Sequence, residues 1–321
     1  MKFKILPVLA FTIISISLFA QDENKQAPKD TSWKKGGFFS LSFSQVSLTN
    51  WAAGGENSVS TIAIANFFAN YTNGKTKWDN NLDLGYGLMK QGAIGWRKTD
   101  DKLDMNSKFS HNAKGKFYYS ALGNFRTQLA PGYNYPNDSV VVSRWMAPGY
   151  LVGALGMTYK PNDAFSLFIS PATGKFTFVL AQTLADLGAF GVDPAEFDAV
   201  TGEKIKNGKN LRAEFGAYLQ SRFQKDIVKN VNLLVKLDLF NNYTDKVAQN
   251  RGNIDVNWET LITMKVNKYM SASVFTHVIY DHDIDLPTYG FQGPNADKVQ
   301  IGKGPKTQFK EVFGAGFSYK F

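Results

Sequence analysis

The feature that most constrains this chain is an alternation of apolar and polar residues that persists for about ten residues in several segments. In one of them the apolar residues at alternating positions are Trp78, Leu82, Leu84, Tyr86 and Leu88. Alternation with a period of two predicts a β-strand with one apolar face. About ten residues is also the length that a tilted strand needs to cross the hydrocarbon core of a membrane.

Segments of this kind recur along the chain, and the connections between them are alternately short and long. The short connections lie near 72–75, 113–116, 161–164, 226–230 and 267–270. The long ones lie near 48–57, 91–101, 131–149, 182–210, 244–253 and 283–307. We therefore predict an all-β protein, a transmembrane antiparallel up-and-down β-barrel of about 12 strands, with turns on one side and loops on the other. Its least regular strand is expected around Pro171, as a kinked strand with a bulge.

The first residues are typical of a secretory signal peptide, with a basic start, a short apolar run and a small residue at Ala20. We predict a signal peptide at 1–20, a flexible periplasmic segment at 21–35 and the barrel at 36–321. Phe317, Tyr319 and Phe321 alternate at the end of the chain, which resembles the terminal signature that the barrel-assembly machinery recognises. These features predict the cell outer membrane, with both termini periplasmic.

A soluble β-sandwich or a lipocalin-like barrel would show the same alternation, because its apolar face would be buried inside. Strand length and the terminal phenylalanine favour the membrane over both. The net charge of +9 could indicate nucleic acid, but export argues against that partner. We expect contact with outer-membrane lipid and lipopolysaccharide, whose anionic groups attract a basic protein, and with the assembly machinery during biogenesis.

The polar faces of the strands are predicted to line the lumen. The candidate lumen residues are Lys77, Asp79, Asp83, Lys102, Asp104, Lys108, Arg126, Arg212, Glu214, Arg222, Lys236, Asp238, Asp255, Glu259 and Lys265. Opposite charges in a confined lumen can form a structural lattice of cross-strand ion pairs. The same residues can also line a weakly anion-preferring pore, and the sequence leaves both interpretations open.

Two loop features are candidates for function. In 182–210, Asp193, Pro194 and Glu196 resemble a helix start, and this loop is either a plug for the mouth or a surface loop. Asp281, Asp283 and Asp285 place carboxylates at alternating positions near the outer rim. Such oxygens suit Ca²⁺, although acidic loop residues usually serve only as solvated charges.

The sequence offers little support for an enzyme. It has three histidines and no G-x-S-x-G nucleophile motif. It also has no cysteine, which excludes disulfides and cysteine-ligated metals. We therefore expect no enzymatic activity and no cofactor other than the speculative Ca²⁺ at the rim.

One stretch of sequence carries a family resemblance. Trp51, Gly54, Gly55 and Asn57 fall in a W-x-x-G-G-x-N-S pattern that ends at Ser58. With it, the chain resembles a family of Bacteroidetes outer-membrane β-barrels classed as a domain of unknown function. The resemblance implies a fold and a location but no activity. We expect a passive or gated channel for small solutes, or alternatively a non-transporting protein that presents extracellular loops. The oligomeric state is not predicted.

Overall fold

The computed structural model describes residues 32–48, 56–92, 95–135, 137–267, 269–292 and 297–320. Within these residues, a closed barrel of twelve strands forms the wall. The strands are β1 (Trp33–Val46), β2 (Ser58–Asn73), β3 (Thr76–Gln91), β4 (Arg97–Lys114), β5 (Phe117–Thr127), β6 (Gly149–Tyr159), β7 (Phe165–Phe178), β8 (Leu211–Val228), β9 (Val231–Asn242), β10 (Ile254–Lys265), β11 (Met270–Tyr280) and β12 (Gln308–Lys320).

Each strand pairs antiparallel with its neighbours in the chain, and β1 pairs with β12 to close the barrel. The predicted antiparallel up-and-down barrel of twelve strands is confirmed. Among the described residues, no helix is long and apolar enough to cross a membrane. The outward faces of the strands carry exposed aromatic side chains, including Phe43, Trp258, Phe309 and Phe313.

Within the described residues, smaller elements lie in the loops. They are the helix α1 (Gln182–Asp186), the 3₁₀ turns Ala189–Gly191 and Ala248–Gly252, and three two-stranded hairpins formed by Gly132–Tyr133 with Val141–Ser143, Glu196–Phe197 with Lys204–Lys206, and Asp285–Gln292 with Asp297–Pro305.

The ends of the barrel differ from the prediction in two places. β1 begins at Trp33 rather than at Gly36, so the last residues of the predicted flexible segment belong to the wall. The signal peptide at 1–20 and most of the segment at 21–35 lie outside the described residues. The loop predicted near 91–101 ends earlier than expected, because β4 already begins at Arg97 and pairs with the end of β3.

The strand around Pro171 stays in the wall, as a kinked strand. The register of β7 shifts against both neighbours at this point, between Leu155 and Met157 on β6 and between Gly216 and Tyr218 on β8. The Ser170 hydroxyl donates to the Leu155 carbonyl at 2.8 Å. A side chain therefore takes over part of the backbone pairing that the bulge interrupts.

Candidate functional site

Two ion pairs join opposite walls of the barrel. The Lys102 ammonium on β4 lies 2.6 Å from the Glu259 carboxylate on β10. Lys236 on β9 lies 2.7 Å from Asp83 on β3. These strands are not neighbours in the sheet, so both pairs cross the lumen and bridge it.

Further polar side chains lie next to these two ion pairs. Arg126 on β5 approaches Asp104 on β4 at 3.3 Å and Asp238 on β9 at 3.9 Å. The Asn124 amide also donates to Asp104 at 2.7 Å, and the Tyr218 hydroxyl donates to Asp238 at 2.8 Å. These partners satisfy the buried Asp104 carboxylate and the half-buried Asp238 carboxylate, which would otherwise be costly to remove from water.

Lys175 on β7 is the centre of a second charged cluster and was not among the predicted residues. Its ammonium lies 2.6 Å from Asp255, 3.3 Å from Asp281 and 3.7 Å from Glu214. The bulge at Pro171 changes the parity of β7, which is why simple alternation did not place Lys175 inside. The other basic group of this cluster is Arg212, which pairs with Glu214 at 2.6 Å and also with Asp283.

The other predicted lumen residues lie apart from the bridge. Lys77, Asp79 and Lys108 line a cavity of about 30 Å³ near the turns, where the Lys77 ammonium lies 4.9 Å from the centre of the Tyr118 ring. Arg222 donates to Gln224 at 2.9 Å. Lys265 is exposed at the end of β10.

The structure separates the three aspartates of the predicted rim site. Asp281 pairs with Lys175, Asp283 with Arg212, and Asp285 with Lys303 at 3.6 Å. Within the described part of the chain, no group of three acidic or histidine side chains is arranged to hold a metal ion. The aspartates therefore serve as separate partners of basic residues, without a shared centre for Ca²⁺.

The signature stretch can be followed only in part. Trp51, Gly54 and Gly55 lie outside the described residues. The Asn57 side chain accepts a hydrogen bond from the Leu48 backbone N–H at 2.6 Å. Asn57 thus joins the two ends of the loop between β1 and β2.

The long loop between β7 and β8 is folded around an apolar cluster of its own. Val179, Leu184, Ala185 and Val192 pack there with Ala147 of the loop between β5 and β6. The predicted helix start at Asp193 is wrong. Its carboxylate pairs with Lys209 at 2.8 Å and Lys246 at 2.5 Å instead of capping a helix, and the helix of this loop is the earlier α1.

Strong hydrogen bonds to carboxylates hold this loop together. The Lys204 ammonium, the Gln182 amide and the Gly208 backbone N–H hold the pKa of Asp186 at about 2, below its usual value. Hydrogen bonds from Lys209 and Lys246 likewise lower the pKa of Asp193 to about 2. Both carboxylates therefore stay ionised in the folded loop well below the ordinary aspartate pKa.

The same loop reaches the mouth of the barrel. Gly191 has a φ of +79°, and a Cβ there would overlap the Arg212 guanidinium and lie 3.1 Å from the Asp283 carbonyl oxygen. The β7–β8 loop thus packs on the ion pair between Arg212 and Asp283. This pair joins β8 to the loop between β11 and β12. A separate cavity of about 300 Å³ lies between the start of β4 and the hairpin of 132–143.

One side of the interior is filled by apolar side chains. Leu122, Ala154, Phe168, Tyr218 and Phe240 form a buried cluster. They come from the five consecutive strands β5 to β9. The cross-lumen ion pairs, which join β3 to β9 and β4 to β10, separate this filled side from the side that contains β11, β12 and β1.

A family model described as "Protein of unknown function (DUF3078)" matches residues 43–133. No curated protein matches the chain in sequence. The expected link to a domain of unknown function is thus supported, whereas the origin in Bacteroidetes and the signature stretch stay predictions.

Solved structures of outer-membrane barrels resemble the chain. An outer membrane channel from Pseudomonas putida F1 is 10% identical, with 92% of this chain and 100% of that chain covered and a TM-score of 0.38. The beta domain of the Bordetella autotransporter BrkA is also 10% identical, with 90% and 99% covered and a TM-score of 0.31. At this level of similarity, we base the function on the residues of this chain alone.

Proposed function

We propose that this protein is a gated outer-membrane channel for small solutes, closed in this conformation by ion pairs across its lumen. The observation that carries the proposal is the pair of bridges Lys102–Glu259 and Lys236–Asp83. The two pairs meet where the Lys236 ammonium lies 4.0 Å from the Glu259 carboxylate. Opening requires that these side chains turn back to their own walls, together with those of other pairs between non-neighbouring strands, such as Lys310–Asp100 and Lys175–Asp255.

Ion pairs suit a gate better than a permanent plug. A buried ion pair adds little stability compared with apolar side chains of the same volume, so a barrel that is only structural gains little from one. A lysine ammonium sits on a flexible four-carbon stem and is strongly hydrated. Water that enters the lumen can therefore replace the carboxylate as its partner.

The location supports this proposal. The outward faces carry exposed aromatic and aliphatic side chains, as expected for strands that face lipid. In that setting the turns and both termini are periplasmic and the long loops are extracellular. Outer-membrane lipid, lipopolysaccharide and the barrel-assembly machinery are the partners that we propose, and we propose no enzymatic activity.

A second candidate function is a non-transporting barrel that presents its outer loops. The buried cluster around Phe168 favours it, because apolar packing on one side narrows the lumen. The folded loop over the mouth fits either function, since it can serve as an outer constriction or as a binding surface.

Conductance in planar lipid bilayers tests the channel. The variants Lys102→Gln with Glu259→Gln, and Lys236→Gln with Asp83→Asn, remove the attraction between these charged groups with only a small change in side-chain volume. We expect each neutral pair to raise the open probability above that of the wild type. The matched control is Lys206→Gln with Glu196→Gln, an exposed pair in the outer loop, which should change nothing.

One result would contradict the channel. If the wild type and both lumen variants fold but carry no current, and liposomes that contain them do not swell in sugar solutions, the non-transporting barrel is the better explanation.

A further inference from the structure

β1 and β12, which close the barrel, pair over only part of their length. The pairing joins residues 38–42 of β1 to residues 316–320 of β12. On its other edge β12 pairs with β11 from Gln308 onward, and β1 pairs with β2 as far as Val46. The part without pairing is the half that leads to the long loops.

The lack of pairing in this half is a property of described residues. Continuing the register would place residues 43–48 opposite residues 310–315, yet none of these described residues pairs across the seam. From Phe43 to Val46 every side chain is exposed, on both faces of β1. Unpaired backbone groups are costly in hydrocarbon, so opening the wall where strands are paired is unfavourable. In this half of the seam the backbone groups are already unpaired, and the wall therefore separates most easily there.

Small residues line the inner side of the seam. A Cβ on Gly314 would lie 2.9 Å from the Ser42 hydroxyl and 3.7 Å from the Ser273 hydroxyl. A Cβ on Gly316 would overlap the Leu41 carbonyl. The space beside these two glycines is taken up by Leu41 and Ser42, so β1 packs directly against β12 where the pairing ends.

The outer side of the seam combines apolar rings with one carboxylate. Phe43, Phe309 and Phe313 are 60%, 64% and 69% exposed. Glu311 lies between the two phenylalanines of β12 and is also exposed, and no described side chain forms an ion pair with it. A charge on the lipid face is costly away from the interface, so water at the seam would help to stabilise it.

The charge nearest to the seam on the inner side is held elsewhere. Lys310 lies in the part of β12 that does not pair with β1, and its ammonium reaches across the lumen to Asp100 of β4 at 2.5 Å. By alternation, the other inward positions of the unpaired half carry Ser44 and Val46 on β1 and Val312 and Gly314 on β12. Phenylalanine rings then lie on the side that faces the lipid.

We propose that the outer half of the β1–β12 seam is a lateral gate through which apolar or amphipathic small molecules pass between the lumen and the outer leaflet. Its inner side offers valine beside serine and glycine, which suits apolar and amphipathic solutes, and its outer side offers apolar rings to acyl chains. The gate rests on the outer-membrane location proposed above and does not require conduction along the barrel axis.

A disulfide can close this gate, because the natural chain has no cysteine. The ideal Cβ of residue 314 lies 3.4 Å from the Ser42 Cβ, close to the separation of about 3.5–4.5 Å found in disulfides. The test variant is Ser42→Cys with Gly314→Cys. The control is Ser110→Cys with Ser120→Cys, two serines that face each other on the paired strands β4 and β5 with hydroxyls 2.8 Å apart.

The probe is 1-N-phenylnaphthylamine, an uncharged dye that fluoresces in lipid, added to intact Gram-negative cells that express each variant. We expect the wild type to raise the initial uptake rate severalfold above cells with empty vector. Oxidised Ser42→Cys/Gly314→Cys should fall to the vector rate and recover on reduction, whereas the oxidised control should keep the wild-type rate. Recovery on reduction shows that the variant is folded.

Two results would overturn the gate. One is a fully oxidised test variant that still takes up the dye at the wild-type rate. The other is a wild type that is no faster than the vector although fractionation finds it in the outer membrane. Conductance of the same proteins in planar bilayers is measured in parallel, and its absence would count against the axial channel alone.

Discussion

Replacing Phe168 by alanine tests whether one side of the barrel interior is packed like a protein core. Phe168 is 0% exposed, and its ring meets the Tyr218 ring edge-on at 6.4 Å. Removing a buried phenylalanine loses its transfer free energy and leaves a cavity, at a cost of about 3–5 kcal/mol. With a urea m-value of about 2 kcal/mol/M, the unfolding midpoint in phospholipid vesicles should fall by about 2 M.

The control is Phe197→Ala, the same substitution at a side chain of the outer loop that is 58% exposed. Its free energy of unfolding should stay within about 0.5 kcal/mol of the wild type. A loss below about 1 kcal/mol for Phe168→Ala, at an unchanged m-value, would refute the reasoning. It would mean that water already reaches this side of the lumen and that the cluster is not dry.

Two further predictions concern the loop between β7 and β8. Gly191→Ala forces a Cβ onto the Arg212 guanidinium and should speed tryptic cleavage of this loop at least severalfold. Gly202→Ala, also at positive φ but with open space around it, should speed it less, and equal rates would contradict the proposed packing. The pKa values of Asp186 and Asp193 are lowered to about 2 in the folded loop. The two carboxylates therefore stabilise the folded loop fully above the ordinary aspartate pKa of about 4. This stabilisation is lost as the pH falls through 2. Amide hydrogen exchange of the loop, corrected for intrinsic rates, should therefore accelerate between pH 4 and pH 2, and constant protection over that range would contradict the role of these carboxylates.

The wall of the barrel is predictable from the sequence because every strand has different surroundings on its two faces. The alternation in 231–239 predicts a strand that the structure has as Val231–Asn242. The start of β4 has no such signal, because residues 97–101 are polar at every position. Where a hairpin extends beyond the apolar part of the wall, both faces of its strands have polar surroundings, and its residues need not alternate between apolar and polar. The sequence therefore suggests a loop where the structure has paired strands.

The contacts inside the barrel are much less predictable. Alternation indicates that Lys102 and Glu259 both point inward, but their pairing depends on the diameter and stagger of the closed sheet, which a single strand does not reveal. Lys175 illustrates a different limit. Its inward direction follows from the bulge at Pro171, and a bulge shifts the parity of every later residue of its strand.

The two bridges across the lumen and the incomplete seam follow from one asymmetry of the interior. Side chains of β5 to β9 occupy their side of the lumen, with Phe168 and Tyr218 at the centre. The ion pairs stand along the boundary of that filled region, since their carboxylates and ammonium groups come from β3, β4, β9 and β10. Beyond them, the inner sides of β1 and β12 carry serine, glycine and valine near the seam, and Lys310 of β12 pairs with Asp100 of β4. Whether a solute leaves along the axis or through the wall, its path therefore lies beside β12 and not beside β7.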